Sequence, residues 1–222
     1  MGRSYQAWIE QLATFCAALF GGAIVTAEIT IGALAIAMAV GLVMAVVSSS
    51  RIRSLRFFVI MYVEVFRSVP ALTQLFIIYF GLAQIGIRLQ SLPAAIVGLG
   101  LAGGSILTEV FRAGFQALHH GQREAALAVG MTPIMAVRYI ILPQAWRIVL
   151  PPLGNYSISL LKETSVASAI AAPEIMFFAR QLVTKTFETP LIYSMTALFY
   201  LAMSIPLGRL VARLERKERS WR

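Results

Sequence analysis

Five long apolar stretches constrain this chain more than any other feature of its sequence. Each approaches the roughly 20 apolar residues that a helix needs to cross the hydrocarbon core of a bilayer. Of the 222 residues, 59% are hydrophobic and only 13% are charged, which is too apolar for a soluble domain of this length. The sequence therefore predicts an all-α membrane protein with about five transmembrane helices, near residues 24–47, 57–82, 92–108, 145–161 and 191–211.

The basic residues predict how these helices are oriented. The net charge of +9 arises from 19 Lys and Arg against ten acidic residues, all of them Glu. With five spans, thirteen basic residues fall on the side that holds the C-terminus, and five fall on the opposite side. Lys and Arg accumulate in loops that stay cytoplasmic. We therefore expect the N-terminus outside and the C-terminus in the cytoplasm, and the charge needs no nucleic-acid partner to explain it.

The sequence predicts a single domain that carries out no catalysis. No repeat or linker divides it, so residues 1–222 are interpreted as a single domain with a core at about 22–213. A single cysteine, Cys16, excludes a disulfide framework, and no residues stand at the spacing of metal ligands. A GxxxxGK[ST] phosphate-binding loop is also absent. We expect no metal site, no cofactor in this chain and no ATP hydrolysis by it.

The segment GQREAALAVGM, residues 121–131, predicts a helix that ends in a turn. Glu124 and its neighbours favour helix, and Gly130 stands where a helix would end. Thr132 and Pro133 suit the N-cap and first position of a second helix. Composition alone also allows an ordinary amphipathic helix on the membrane interface. The alternative is a rigid elbow of two short helices on the cytoplasmic side.

This segment resembles the EAA loop of ABC importer permeases. The Glu-Ala-Ala triplet at 124–126 is followed after three residues by Gly130, and then by Ile-Leu-Pro at 141–143. The resemblance implies a coupling helix that sits in a cleft of an ATPase subunit, with the coupling residues Glu124, Ala125, Ala126 and Gly130. It also implies the type I ABC importer permease fold, in the bacterial cytoplasmic (inner) membrane. The implied partners are a second permease chain (identical or paralogous), two ATPase subunits that carry ATP and Mg²⁺, an extracytoplasmic solute-binding protein and membrane lipid.

Three other segments resemble the polar amino acid permeases, the subfamily that includes histidine, glutamine, arginine and glutamate importers. They are YVEVFRSVP at 62–70 with Gln74, EVFRAG at 109–114, and LLKETS at 160–165, in which Glu163 stands where Asp is usual. The resemblance implies an ATP-driven importer of a polar or charged amino acid. The alternatives are an importer of another small solute, such as an opine or a sulfur compound, a passive channel or scaffold, or an intramembrane enzyme with Glu64, Glu109 and Glu163 as acids.

Polar and charged side chains in the spans are the candidates for a substrate pathway. A charge at the bilayer centre costs roughly 2.5–3.5 kcal/mol, so it normally faces a cavity or a partner. Glu64 and Arg67 are three residues apart and either pair with each other or contact substrate. At the end of the fourth span, the ammonium group of an amino acid is expected to bind Glu163. In the alternative interpretation, Glu163 forms an ion pair with Lys162 and Thr164 caps the next helix. The full candidate set is Glu163, Thr164, Ser165, Gln74, Glu64 and Arg67.

Prolines within two of the spans predict interruptions of their helices. Pro70 removes a backbone hydrogen bond and is expected to kink the second span. Pro151 and Pro152, with Gly154 nearby, are expected to interrupt the fourth. Broken helices near the midplane expose unpaired backbone groups, which transporters use at their substrate sites.

Overall fold

The structure, a computed structural model that describes residues 2–117 and 120–219, has only helices as regular secondary structure in this part of the chain. Its α-helices are α1 (Gly2–Ser48), α2 (Arg53–Ser68), α3 (Ala71–Phe76), α4 (Leu82–Gln84), α5 (Ser91–Gln116), α6 (His120–Ala128), α7 (Pro133–Ala136), α8 (Leu142–Glu163), α9 (Ile175–Thr186) and α10 (Thr189–Arg219). Two π-helical segments, Ile77–Gly81 and Val137–Ile141, join α3 to α4 and α7 to α8, and a 3₁₀ segment, Thr164–Ile170, follows α8.

Four helical stretches within these residues are long and apolar enough to cross a membrane. They are Gln6–Ser48, Ser91–Gln116, Pro133–Ile170 and Thr189–Lys217. The bent pair formed by Arg53–Ser68 and Ala71–Gln84 raises the number to five if it counts as one span. The predicted class, an all-α membrane protein with about five spans, is confirmed.

The first span is much longer than the predicted 24–47. α1 runs unbroken over 47 residues, about 70 Å at 1.5 Å per residue, whereas the hydrocarbon core is about 30 Å thick. Its N-terminal half is held by tertiary packing, because Phe15 and Leu19 are buried in a cluster with α9 and α10. Glu10 lies on the exposed face of the same helix.

The second span is broken at Pro70 rather than kinked. α2 ends at Ser68, and Val69 is extended (φ −94°, ψ 130°), as expected of a residue that precedes proline. Pro70 is the N-cap residue of α3, and the two helices meet at an angle of 107°. The break turns the polypeptide sharply, and because Pro70 has no N–H, the Phe66 carbonyl lacks its helical donor.

The predicted interruption of the fourth span at Pro151 and Pro152 is wrong, because α8 continues through both prolines from Leu142 to Glu163. The helix instead departs from α-geometry at its two ends, in the π segment before Pro143 and in the 3₁₀ segment after Glu163. Gly154 has a packing role, since a Cβ at this position would overlap the side chain of Val211 on α10.

Close packing of α1 against α5 forms the centre of the larger core. A Cβ added at Gly100 would lie 2.7 Å from Cβ of Ile36, and one at Gly41 would lie 2.8 Å from Cβ of Leu107. Glycine at these contacts lets two helix backbones approach closely without a clash. Gly100, Gly103 and Gly104 recur at helical spacing, a pattern that predicts a small-residue packing face on the third span. The structure confirms it, because a Cβ at Gly103 would overlap Tyr156 on α8 and one at Gly104 would lie 2.6 Å from the Tyr62 oxygen on α2.

Candidate functional site

A cavity of about 590 Å³ lies where the broken second span meets α5 and α8. Three of the predicted pathway residues line it: Arg67 on α2, Gln74 on α3 and Glu163 at the end of α8. Pro70 also lines it, so the break in the span helps to create the space. We call this space the Gln74 cavity.

Gln74 both repairs the break and presents a free acceptor. Its Nε2 donates hydrogen bonds to the carbonyls of Phe66 (2.8 Å) and Val69 (2.7 Å). The Phe66 carbonyl needs this donor because the residue four positions later is Pro70, which has no N–H. These bonds fix the orientation of the amide, and its Oε1 is buried with no hydrogen-bond partner among the described residues. An unpaired buried acceptor costs about 1–3 kcal/mol, and the Gln74 oxygen carries this cost in the single chain.

Tyr156 completes the wall of the Gln74 cavity near Glu163. The phenol packs directly over Gly103 of α5, where a Cβ would overlap its oxygen. Sequence reasoning missed Tyr156, because an aromatic residue in an apolar span is not distinguishable from an ordinary core residue. The sequence pointed to Tyr156 only indirectly, through Gly103, whose missing side chain makes room for the phenol.

A second cavity, of about 540 Å³, adjoins the first, and we call it the Glu64 cavity. It is lined by Glu64 and Arg112 among others, and it shares Arg67 and Glu109 with the Gln74 cavity. Ser48, at the C-terminal end of α1, also borders it. The two cavities therefore lie side by side along α2 and α5, with charged side chains between them, and the second lies towards the side that the basic residues predict to be cytoplasmic.

The ion pair at these cavities joins Arg112 to Glu109 rather than Glu64 to Arg67. Arg112 pairs with Glu109 one turn away on α5, whereas Glu64 and Arg67 form no salt bridge with each other among the described residues. Both of these side chains are exposed in the single chain. Of the two alternatives for Glu64 and Arg67, the mutual ion pair is therefore not formed in the described part of the single chain.

Thr164 and Ser165 lie beside the cavities rather than in their walls. Thr164 is fully buried, and its hydroxyl donates a 2.8 Å hydrogen bond to the carbonyl of Leu161. It does not cap a helix by accepting a backbone N–H, which was the alternative role. Ser165 is half-buried at the start of the 3₁₀ segment. Of the predicted LLKETS segment, Glu163 is the residue that the fold brings to the Gln74 cavity.

The predicted elbow between α6 and α7 is confirmed in its backbone geometry. Gly130 has φ +83°, and hydrogen bonds run from Met131 N–H to the Ala126 carbonyl (3.1 Å) and from Gly130 N–H to the Leu127 carbonyl (3.0 Å). This pair of bonds is the Schellman motif that ends a helix at a left-handed glycine. Thr132 Oγ1 then accepts the N–H of Met135 (3.3 Å), and Pro133 occupies the first turn of α7.

The tip of the elbow is apolar and exposed. Val129 and Ile134, on either side of the Gly130 turn, are 78% and 79% exposed. Of the Glu-Ala-Ala triplet, Ala126 is buried, whereas Glu124 and Ala125 are exposed. The elbow is also tied back to α8, where Gln144 Nε2 donates to Gln122 Oε1 (3.4 Å). A protruding apolar tip on a rigid support is suited to contact with another protein.

A bundle of membrane-spanning helices with charged cavities beside a broken span and an exposed elbow is the architecture of a transport permease. The chain belongs to the family described as "Binding-protein-dependent transport system inner membrane component", which matches residues 37–220. It is therefore an inner-membrane permease subunit rather than an ATPase, and it works with ATPase and binding-protein partners.

Individual relatives support this assignment. The chain is 37% identical over 185 residues to the probable glutamine ABC transporter permease protein GlnM of Bacillus subtilis, covering 83% of this chain and 86% of that protein. It is 34% identical over 186 residues to the L-cystine transport system permease protein TcyB of the same organism, covering 84% and 80%. The crystal structure of an amino acid ABC transporter with histidines matches with a TM-score of 0.86 and 33% identity, covering 93% of this chain and 96% of that one.

Proposed function

We propose that this permease carries a polar or charged amino acid into the cytoplasm along the Gln74 and Glu64 cavities. The observation that carries the proposal is the grouping of Glu163, Arg67 and the unpartnered Oε1 of Gln74 around one cavity. The names of the relatives, which refer to glutamine, cystine and amino acid transport, support the same substrate class.

The chemistry of the cavity is complementary to an amino acid zwitterion. An ammonium group needs acceptors, which the Glu163 carboxylate and Gln74 Oε1 supply. A carboxylate needs donors, and the guanidinium of Arg67 offers two parallel N–H groups. Thr164 and Ser165 contribute through the backbone that holds Glu163 in place. Glu64 and Arg67, in the second cavity, provide the next charged positions towards the cytoplasm.

Two permease chains, identical or paralogous, form the complete pathway in this proposal. Charged side chains such as Glu64 and Arg67 are exposed in the single chain, and exposure of a charge to lipid at membrane depth is costly. A second permease chain facing this surface would enclose the charges in an aqueous path. The orientation is the one that the basic residues predict, with the N-terminus outside and the C-terminus in the cytoplasm.

The elbow is the proposed contact with the ATPase. The exposed Val129 and Ile134 would enter a cleft of that subunit, with Glu124 beside them. Each of two ATPase subunits, which bind ATP and Mg²⁺, would engage one permease elbow. Closure of the ATPases would then favour one orientation of the permease pair over the other, which is a population shift biased by nucleotide.

Uptake by reconstituted transporter tests the substrate pathway. The permease is assembled with its ATPase and its solute-binding protein in proteoliposomes, and uptake of labelled glutamine, histidine, cystine, arginine and glutamate is measured. We expect ATP-dependent uptake of at least one of them, reduced about tenfold or more by Glu163→Gln, since a hydrogen bond to a charged group contributes about 1.5–3 kcal/mol. Glu188→Gln, an exposed acid between α9 and α10, is the matched control. Uptake that continues without the ATPase would refute the importer.

The contact with the ATPase is tested separately. Glu124→Lys is expected to abolish ATP-driven uptake and to leave membrane insertion intact, because Glu124 is exposed on the surface of α6. Glu10→Lys makes the same charge change on an exposed face of α1. Normal transport by Glu124→Lys would contradict the docking role.

A further inference from the structure

Three arginines near the C-terminal end of α10 border a cavity of their own, of about 490 Å³. They are Arg209, Arg213 and Arg216, and we call them the Arg213 cluster. Their spacing of four and three residues places them on one face of the helix. All three are exposed, and none of them lines the Gln74 or the Glu64 cavity. The proposed amino acid pathway therefore leaves this cluster without a role.

The positive charges of the cluster are not balanced within the described part of the chain. No carboxylate among the described residues forms a salt bridge with any of the three arginines. Arg216 Nε donates to the Ala212 carbonyl (3.3 Å), which leaves the two terminal nitrogens of this guanidinium without a partner among the described residues. At about 100° per residue, Glu215 lies roughly 130° around the helix from the centre of the cluster. Like charges one turn apart repel each other, so an anion between the guanidinium groups would stabilise the arrangement.

The position of the cluster along α10 matches the edge of the bilayer. The 20 residues between Glu188 and Arg209 carry no charge. In a helix they span about 30 Å, which is about the thickness of the hydrocarbon core. Val211 still packs onto the bundle at this level, since a Cβ at Gly154 of α8 would overlap its side chain. The arginines therefore begin where the hydrocarbon ends, among the lipid headgroups of the side that the basic residues predict to be cytoplasmic.

Apolar side chains stand directly beside the arginines. Leu210 and Leu214 each follow an arginine of the cluster by one residue, and they are 53% and 44% exposed. They form the next ridge along the same side of α10. A small soluble anion would make no use of this ridge. A phospholipid presents a phosphate and acyl chains together, so it can contact both the guanidinium groups and the leucines.

We propose that the Arg213 cluster binds the phosphate of an anionic phospholipid whose acyl chains lie along Leu210 and Leu214. Each guanidinium offers paired N–H donors that match phosphate oxygens, and its charge attracts the anionic headgroup. The positive-inside rule accounts for arginines on this side of the membrane, but not for three guanidinium groups that border a single cavity. This site is independent of the solute that the permease carries.

Lipid binding to the purified transporter tests the site. The permease is assembled with its ATPase in detergent, and native mass spectrometry measures the binding of phosphatidylglycerol and of phosphatidylethanolamine with the same acyl chains. Arg213→Gln removes the central charge of the cluster. Arg53→Gln is the matched control, because it makes the same change at an exposed arginine on the same predicted side of the membrane. Thermal unfolding and the affinity for the ATPase are measured for each variant.

We expect Arg213→Gln to weaken the binding of phosphatidylglycerol about fivefold relative to Arg53→Gln, with similar thermal midpoints. Replacing all three arginines of the cluster by glutamine is expected to weaken it about a hundredfold. The binding of phosphatidylethanolamine, which has no net charge, should change much less. An equal loss of phosphatidylglycerol binding in Arg213→Gln and Arg53→Gln would mean general attraction to basic residues, and would overturn the site.

Two further results would assign the cluster to another ligand. If inorganic phosphate at constant ionic strength displaces phosphatidylglycerol from the unaltered complex, the cluster is a site for free anions and the lipid assignment fails. If Arg213→Gln weakens the affinity for the ATPase and leaves phosphatidylglycerol binding unchanged, the cluster belongs to a protein interface and the lipid assignment also fails. Phosphatidylglycerol binding that resists phosphate and depends on Arg213 but not on Arg53 supports the proposal.

Discussion

Gly130 provides the sharpest test of the coupling elbow, because two glycines in the same segment differ in one property. Gly130 has φ +83°, whereas Gly121 lies within α6. At both positions nothing lies within 4 Å of an added Cβ. Gly130→Ala and Gly121→Ala therefore add the same methyl group into open space, and only the first forces a side chain into the left-handed region.

The expected magnitude follows from this backbone strain. A residue other than glycine in the left-handed region costs about 1–3 kcal/mol. If about 1–2 kcal/mol of this falls on the elbow, the ratio of elbows with the correct turn to elbows without it drops roughly five- to thirtyfold. Gly121→Ala is expected to be neutral or stabilising by up to about 1 kcal/mol, because alanine favours helix. The apparent affinity of the ATPase for the permease should fall for Gly130→Ala alone, by up to this factor, because it scales with the fraction of elbows that keep the correct turn.

The assay is titration of purified ATPase onto permease held in nanodiscs, with ATP-driven uptake measured in parallel. Gly130→Asn distinguishes strain from bulk, since asparagine is larger than alanine but tolerates the left-handed region better. The strain argument predicts that the asparagine variant binds more tightly than the alanine variant. The reverse order, or equal binding by Gly130→Ala and Gly121→Ala, would refute it.

Three further changes test other parts of the structure. Gly103→Ala places a Cβ against the Tyr156 phenol and is expected to destabilise the fold by about 1–3 kcal/mol and to reduce uptake. Gly21→Ala, with open space around its Cβ, is the control. Equal thermal midpoints for the two variants would contradict the packing argument. Gln74→Met keeps the side-chain size but leaves the carbonyls of Phe66 and Val69 without their donor, so the thermal midpoint should fall by the equivalent of about 1–3 kcal/mol per carbonyl; no change would mean that other groups satisfy them. Thr132→Ala removes the cap of α7, at a cost of about 1 kcal/mol. It should speed amide exchange at Met135 and have little effect on global unfolding. The control is Thr184→Ala, whose hydroxyl donates to the Arg180 carbonyl, and it should leave exchange at Met135 unchanged.

Local sequence signals determined the number of spans, the elbow and the packing face of α5. The length of an apolar stretch is sufficient to predict a membrane span, since the bilayer thickness is fixed. The elbow was predictable because Gly130, Thr132 and Pro133 each act within a few residues of their own position. The same holds for the glycines of α5, whose spacing along one helix is visible in the sequence.

Only the tertiary structure decided how these pieces meet. Pro70 breaks its helix completely, whereas Pro151 and Pro152 do not, and no local rule separates the two cases. A hydrogen bond from the N–H of Ile175 to Thr26 Oγ1 joins residues 149 positions apart, and the burial of Glu174 depends on contacts of this kind. Gln74 repairs the carbonyls of α2 only because the 107° bend brings it back to them. Contacts between segments far apart in the chain have no counterpart in local pattern, so the walls of the pathway became visible only in the folded chain.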